Sequence, residues 1–399
     1  MPSRIAPTSP DDPSLDRPRI RPGVPIVWRS PNAVQVRVDP RHALIIEGPD
    51  ERIGALICAL DGTRTRDEVI AYSRAAGIDE YTVTTVLAAL ESNGSLARSS
   101  GDSTLLTAMS ADERARVTPD LMVSALIPRG LDPLEALRRR GAARVEVRGT
   151  GRLGAALTSH LMAAGVGTVL VTDSSNQWSR LTTAYDLTPS GPSREQLGLD
   201  RVHAIASAAT RFLTSADTPR PRADSKRGAP ARPDLVINAV DALGDFPIVD
   251  PGWADEFVCD GIPHLSAAIA GPVATIGPLV IPGASTCLRC FDLTRADRDP
   301  GWPHVLASLA HAHPTLRRDG PAVDVVLATM AAAIAAEQAL EFFDGYPTTA
   351  LATWNAVLIL RLPGPALTTM ATEPHPHCGC TWGPPDRPLV NEPPQWSGE

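Results

Sequence analysis

The chain has 399 residues, 43% apolar and 21% charged; it can bury a sizeable core and is long for one domain, so two domains are expected. Its 37 basic and 45 acidic residues leave a net charge of -8, which excludes a basic footprint for nucleic acid or for an anionic membrane. Six cysteines are too few for a disulfide scaffold. Met1 to Gly23 is rich in Pro, Arg and Asp and has no signal-type apolar segment, so a reducing cytoplasm is expected. The only lysine, Lys226, lies in a Pro/Arg/Ser-rich loop, which leaves one candidate for any chemistry that needs an amine.

In chain order, residues 1–23 read as a disordered tail and 24–106 as a small module. Ile26-Val27, Val34 to Val38 and Leu44 to Ile46 are strand-like. Helical patterns follow at Glu51 to Leu60, Arg66 to Ala75 and Glu80 to Asn93. Thr65 and Glu68 form a capping box, and Val83, Val86, Leu87 and Leu90 share a helix face that stops at Gly94. Such strands and helices suggest a winged-helix-like α+β domain. Residues 107–143 read as a connector, with Leu121 to Ile127 as a strand and Pro133 to Arg140 as a helix.

The second domain, residues 144–382, opens on a strand at Arg144 to Val147. It continues through Gly149-Thr150-Gly151-Arg152-Leu153-Gly154, a helix from Ala155, and a second strand, Val169 to Val171, that ends at Asp173. Strand, glycine turn, helix, strand and acid is the context that gives GxGxxG meaning, because the helix start offers N–H groups to a phosphate. A further strand, Asp234 to Ala239, runs into Asp241 at the rim where open α/β sheets bind ligands. A Rossmann-like α/β domain with a mostly parallel sheet is expected. Residues 215–233 have no apolar periodicity and read as a loop. Val325 to Ala336 falls short of the roughly 20 residues that span a bilayer and reads as a buried helix; residues 383–399 read as a second disordered tail.

Cys287-x2-Cys290 and Cys378-x-Cys380 carry the strongest chemical signal, since two close thiolate pairs can converge into a tetrahedral S4 zinc site. Such a closed shell holds structure and leaves no open position for catalysis. His375 and His377 could replace a cysteine, but four sulfurs complete the shell, so they read as solvated tail residues. Cys58 and Cys259 read as small buried hydrophobes rather than nucleophiles. Of His304, His311 and His313, only the first two share a helix face, and no carboxylate stands at ligand spacing. The run Arg295-Ala296-Asp297-Arg298-Asp299 reads as a solvated, salt-bridged segment.

RVEVRGTGRLGAALTSHLMAAGVGTVLVTD, DLVINAVDA, GIPHLSAAIAGPVATIGPLVIPGASTCLRC and HCGC stand in an order that resembles the ThiF/MoeB/HesA superfamily of ubiquitin-activating-like enzymes, over roughly residues 144–382. The resemblance implies adenylation of the C-terminal carboxylate of a small carrier protein or peptide with ATP and magnesium, a homodimer, and a structural zinc on Cys287, Cys290, Cys378 and Cys380. LDGTRTRDEVIA and the helix after it resemble the winged-helix element that recognises precursor (leader) peptides in ribosomal-peptide maturation. The combined order is similar to leader-peptide-binding partners of azoline-forming YcaO enzymes.

On that resemblance, Gly149, Gly151, Gly154, Asp173, Arg180, Arg201 and Asp241 are the candidate nucleotide-binding residues, with Asp241 also the candidate catalytic acid for magnesium. The sequence departs from the active pattern at several of these positions. A second acid and an SNLxRQ-like segment are expected after Asp173; Ser174 to Arg180 lacks that order. Arg201 stands where a lysine is expected, and Ala242 where an Asn is. Arg can neutralise phosphate, but its planar fork does not reproduce a compact ammonium. Eroded adenylation chemistry on a retained fold is the reading these departures favour. An active adenylyltransferase is the alternative; an NAD-dependent oxidoreductase would suit Asp173 as a ribose contact, but no catalytic constellation accompanies it.

Overall fold

The computed structural model describes residues 17–48, 52–97, 109–127, 132–173, 179–211, 222–223, 232–310, 321–364 and 366–381. Two compact units divide at Leu137 and Arg138.

In the N-terminal unit, β1 (Arg19–Ile20) is followed by β2 (Ile26–Ser30), β3 (Ala33–Val36) and β4 (Leu44–Glu47). Then come α1 (Arg52–Cys58), α2 (Arg66–Ala75), α3 (Glu80–Ser92), β5 (Leu96–Ala97) and α4 (Ala111–Leu126). The sheet is antiparallel in the order β2-β3-β4, and Val34 and Val36 face Ile46 and Leu44 across the β3–β4 pair. Those side chains close a core with Leu56, Val69, Val83, Leu87 and Leu90 from the three helices. Thr65 accepts from the Glu68 N–H while the Glu68 carboxylate accepts from the Thr65 N–H, so the expected capping box fixes the start of α2.

Two expectations are corrected here. The tail read as ending at Gly23 is structured from Arg17 on, with β1 paired to β5. The run Leu121 to Ile127, read as a strand, closes α4 instead. A capping box of Ser110 and Glu113 starts this helix, and arginines hold its end: Arg37 donates to the carbonyls of Gly94 and Leu126, and Arg21 to those of Leu96 and Ala125. Cations at the ends of α3 and α4 satisfy carbonyls that a helix C-terminus leaves open. Arg37 is buried and holds a left-handed φ of 68° to reach them. Arg37→Ala should therefore cost about 1–3 kcal/mol, read as a lower urea midpoint for the transition of this unit; an unchanged midpoint would show that water replaces the guanidinium.

The second unit begins within α5 (Pro133–Ala142) and runs through β6 (Arg144–Arg148), α6 (Arg152–Ala163), β7 (Thr168–Thr172), α7 (Arg201–Ala208), β8 (Arg222–Ala223) and β9 (Leu235–Asp241). It continues with α8 (Asp255–Asp260), β10 (His264–Ala270), β11 (Val273–Val280), α9 (Leu288–Arg298), α10 (Trp302–Ala310), α11 (Val325–Phe343), β12 (Ala356–Arg361) and β13 (Ala366–Ala371). One eight-stranded sheet results, in the order β13-β12-β11-β10-β9-β6-β7-β8. The strands from β10 to β8 pair in parallel and those from β10 to β13 pair antiparallel. This is the expected Rossmann-like, mostly parallel arrangement with an antiparallel extension. The stretch 215–233, read wholly as a loop, contributes β8 to the sheet edge.

One face of the sheet carries α6 and α11, where Leu153, Leu157 and Leu161 meet Leu327, Ala331, Ala335 and Ala339. The small alanines let the helices approach closely. The buried helix expected at Val325 to Ala336 is α11, and although it is long and apolar enough to cross a membrane, half of it is buried in this core. On the other face, α8 packs Phe257 on Val236 and α9 packs Phe291 on Val273, Val357 and Ile359.

Candidate functional site

The turn between β6 and α6 is built by glycines for which nothing larger fits. Gly149 has φ 141°, and a Cβ there would lie 1.9 Å from the Ala239 carbonyl oxygen. A Cβ on Gly154 would lie 2.0 Å from the Gly149 carbonyl oxygen, so strand, turn and helix pack backbone against backbone. At Gly151 the space is filled by a side chain: a Cβ would come within 2.3 Å of Asp241 Oδ2.

Asp241 reaches the first turn of α6 from the end of β9. Its Oδ2 accepts from the Arg152 N–H at 2.7 Å and from the Tyr185 hydroxyl at 2.7 Å, and its Oδ1 accepts from the Leu153 N–H at 3.2 Å. Gly151, the residue preceding the helix, has no side chain to cap it, and the Asp241 carboxylate takes that role from another strand. Burial pushes the Asp241 carboxyl above the usual carboxylate range, against the pull of the Tyr185 hydroxyl, the two N–H groups and the Arg201 charge. Burial and the neighbouring carboxylate likewise push the Tyr185 phenol up.

Of the two cations expected to meet phosphate, Arg201 has another partner and Arg180 is exposed. Arg201 is buried, pairs with Asp186 and donates to the Ser179 carbonyl at 3.0 Å. Arg152, inside the glycine motif, donates to the carbonyls of Tyr185 and Val323 and stacks on the Tyr185 ring at 4.3 Å. Arg180 is exposed, and its carbonyl accepts from the Arg201 N–H. Asp173 accepts from Thr150 Oγ1 at 3.2 Å; burial raises its carboxyl, opposed by that bond and by the charges of Arg201 and Arg180. The structure thus brings the turn, Asp173, Arg201 and Asp241 into one neighbourhood. Ser174 to Trp178 lie outside the described residues.

Tyr185, Asp186 and Arg152 were not singled out from the sequence, although they decide the electrostatics here. The one sequence signal was Thr183-x-x-Asp186, a reciprocal cap in which the Thr183 N–H and hydroxyl both donate to Asp186 Oδ2.

A second cluster lies where α9 meets the chain beyond β13. Cys287 precedes α9 and Cys290 sits in its first turn; Cys378 and Cys380 flank Gly379, which has a left-handed φ of 75°. All four sulfurs lie within 4.8 Å of one another, with separations of 3.9 Å for Cys287–Cys290 and 3.4 Å for Cys287–Cys378 and Cys290–Cys380. A tetrahedral site with metal–sulfur bonds of about 2.3 Å needs sulfurs about 3.8 Å apart, so the four thiols can hold a metal ion.

Three minor readings change. Cys58 and Cys259 are exposed rather than buried, as the amphipathic positions they occupy face outward. The run from Arg295 is the end of α9, and Arg295 stacks on both Trp302 and Phe246, 4.7 and 5.3 Å from their ring centroids, instead of pointing into solvent. His375 is not a solvated tail residue, since only 7% of its side chain is exposed. His304 is exposed on α10; His311, His313 and Lys226 lie outside the described residues.

The sequence matches the model of the ThiF family over residues 125–381, more than half of the chain. The chain belongs to the ThiF family. No curated protein matches it. Among solved structures, MccB from E. coli in complex with MccA superposes with a TM-score of 0.67 at 15% identity, covering 92% of this chain and 99% of that one. MccB solved with ATP gives a TM-score of 0.64 at 15% identity, with 91% and 99% covered. PaaA gives 0.59 at 14%, with 88% and 99% covered. At these identities the likeness shows a shared fold.

Within that ThiF fold, Tyr185→Phe should remove one of three donors to a partly buried carboxylate and cost about 1 kcal/mol. Urea unfolding of the two proteins checks it, and equal midpoints would mean that the hydroxyl is not needed to hold Asp241.

Proposed function

We propose that this ThiF-family protein binds a precursor (leader) peptide through its N-terminal unit and presents it to a modifying enzyme of YcaO type in ribosomal-peptide maturation, and that its own adenylation chemistry is lost. The observation that carries the second half is the Asp241 carboxylate in the first turn of α6. An anion at that place would have to displace a carboxylate whose two oxygens are already engaged by the N–H groups of Arg152 and Leu153 and by Tyr185. Arg201 is bound to Asp186, so one of the two cations expected at a phosphate is neutralised within the protein, and Arg180 alone is exposed. Adenylation relies on positioned cations at the α-phosphate. The residues present therefore fit ATP and magnesium poorly: of the expected cations only Arg180 is exposed, and the acid is already hydrogen-bonded within the protein.

Titration with Mg-ATP by calorimetry and pyrophosphate exchange over candidate peptides test this half. Neither measurable heat nor exchange is expected; exchange at an ordinary enzymatic rate would establish the alternative, an adenylyltransferase acting on a carrier or peptide.

Zinc is the metal that four cysteine sulfurs in a closed tetrahedron suit best. Elemental analysis of protein purified without chelators should give about one zinc per chain, and Cys378→Ser should lose it and lower the melting temperature. Metal-free wild-type protein would remove zinc from this reading.

Peptide binding is supported by the free edge of β4 and by the solved complexes of MccB with MccA. The Gly48 N–H donates to the Asn32 carbonyl at 2.9 Å, and antiparallel alternation from that pair turns the amides of Ile45 and Glu47 away from β3. Among the described residues no strand meets that edge. An extended peptide can satisfy those groups and lay alternate side chains beside α3, whose end is tied to the start of β4 by the Asn93 side chain donating to the His42 carbonyl. Ile45 is 44% exposed and Tyr81, in the first turn of α3, 81% exposed. Fluorescence anisotropy with a labelled leader encoded beside the gene should show saturable binding. Ile45→Pro should weaken it about three- to tenfold, since one outward donor is lost while the β3–β4 ladder stays intact. Binding unaffected by that change would move the peptide off β4.

A further inference from the structure

We infer that His375, paired with Asp297, is the positioning residue that holds the Cys378–Cys380 segment over α9 so that the four sulfurs form one metal site. The inference rests on the reading of that cluster as a metal site. It starts from the position of Asp297, seven residues beyond Cys290 and therefore two turns along the same face of α9. His375 spans the two. Its main-chain N–H donates to Cys290 Sγ at 3.3 Å, and its Nε2 lies 2.9 Å from Asp297 Oδ2.

The remaining ring nitrogen is also used, because Nδ1 accepts from the His377 N–H at 3.2 Å. These two bonds fix the tautomer with the proton on Nε2, which donates to the carboxylate. Both nitrogens are thereby engaged, and His375 stands outside the metal shell rather than in it. The His375 carbonyl accepts from the Cys378 N–H at 2.9 Å, which closes the turn that aims Cys378 at Cys287. One residue thus links the helix face, the first cysteine pair and the turn of the second.

The segment needs such a device, as β13 is exposed along most of its length and the chain beyond it has little apolar side chain to bury. Around the sulfurs the buried apolar neighbour is Val280. Partners outside the metal shell that orient its ligands change metal affinity by about 10- to 100-fold when removed.

The test is zinc transfer to an excess of a colorimetric chelator, followed on the purified full chain, together with the zinc content before transfer. His375→Ala and Asp297→Ala should still be purified with metal but release it about ten times faster or more. His375→Gln places an amide donor near the Nε2 position and should restore slow release, whereas His377→Ala, which keeps its backbone N–H, should release at the wild-type rate. Rapid release from His375→Gln, or from His377→Ala, would overturn the assignment of the Nε2–Asp297 bond as the clamp, and wild-type release from His375→Ala would overturn the role of the ring. If the wild-type chain holds no zinc, the metal reading itself fails, an outcome separate from the others. Circular dichroism of each variant before transfer separates faster release from a failure to fold.

Discussion

Two oxygens of one carboxylate hold the centre of the second unit together. Asp241 reaches the start of α6 only because β9 lies against a turn with no Cβ atoms in the way, and the Gly149 and Gly151 positions are determined by that approach. Once there, it fixes Tyr185, and Tyr185 in turn carries Arg152 on its ring and on its carbonyl. The next residue, Asp186, pairs with Arg201 at the start of α7. The aperiodic chain between β7 and α7 is thus tied to the sheet by polar bonds to buried groups. The Arg201–Asp186 pair is buried on both sides, so removing one partner leaves a charge that water cannot reach easily.

The opposite end of the sheet is held differently. Beyond β10 the strands turn antiparallel, and β13 has an open edge among the described residues. The core on this side thins to Phe291, Val357, Ile359 and half-buried Phe246 and Met370. The chain leaving β13 returns to α9 across a cluster of sulfurs rather than across an apolar surface. A small contact of this kind gains stability from bonds of fixed direction, because area alone yields only about 25 cal/mol per Å². Sulfur ligation and the hydrogen bonds of His375 supply directions that Val280 cannot.

Where periodicity and backbone rules decide structure, the sequence was legible. The capping box at Thr65, the helix of Glu80 to Ser92, the strand–glycine–helix unit and the pairing of four cysteines all follow from local chemistry, and the structure places them accordingly. What could not be read depends on partners far away in the chain. Leu121 to Ile127 has the composition of a strand, yet it ends a helix whose start, the Ser110-x-x-Glu113 capping box, was a missed local signal and whose last carbonyls are completed by Arg21 and Arg37, about ninety to a hundred residues earlier. The partner of Arg201, Asp186, could not be read from spacing, and His375 reads as a tail residue until Asp297 is placed opposite. A side chain's role in these cases is set by an acceptor that no spacing rule predicts.

The retained acid does not by itself distinguish a nucleotide site from a filled one, since the family resemblance assigns the same position to magnesium. What distinguishes them is the number of donors around it. A carboxylate that is to hold a cation must keep an oxygen facing outward, while one that caps a helix turns its oxygens toward N–H groups. Here three donors of the protein take up three of the roughly four acceptor positions of the carboxylate. The N-terminus of α6, preceded by a glycine with no capping side chain, needs an anion in either case. A protein that turns over nucleotide can let phosphate supply it for part of the cycle. Asp241 supplies such an anion from within the fold.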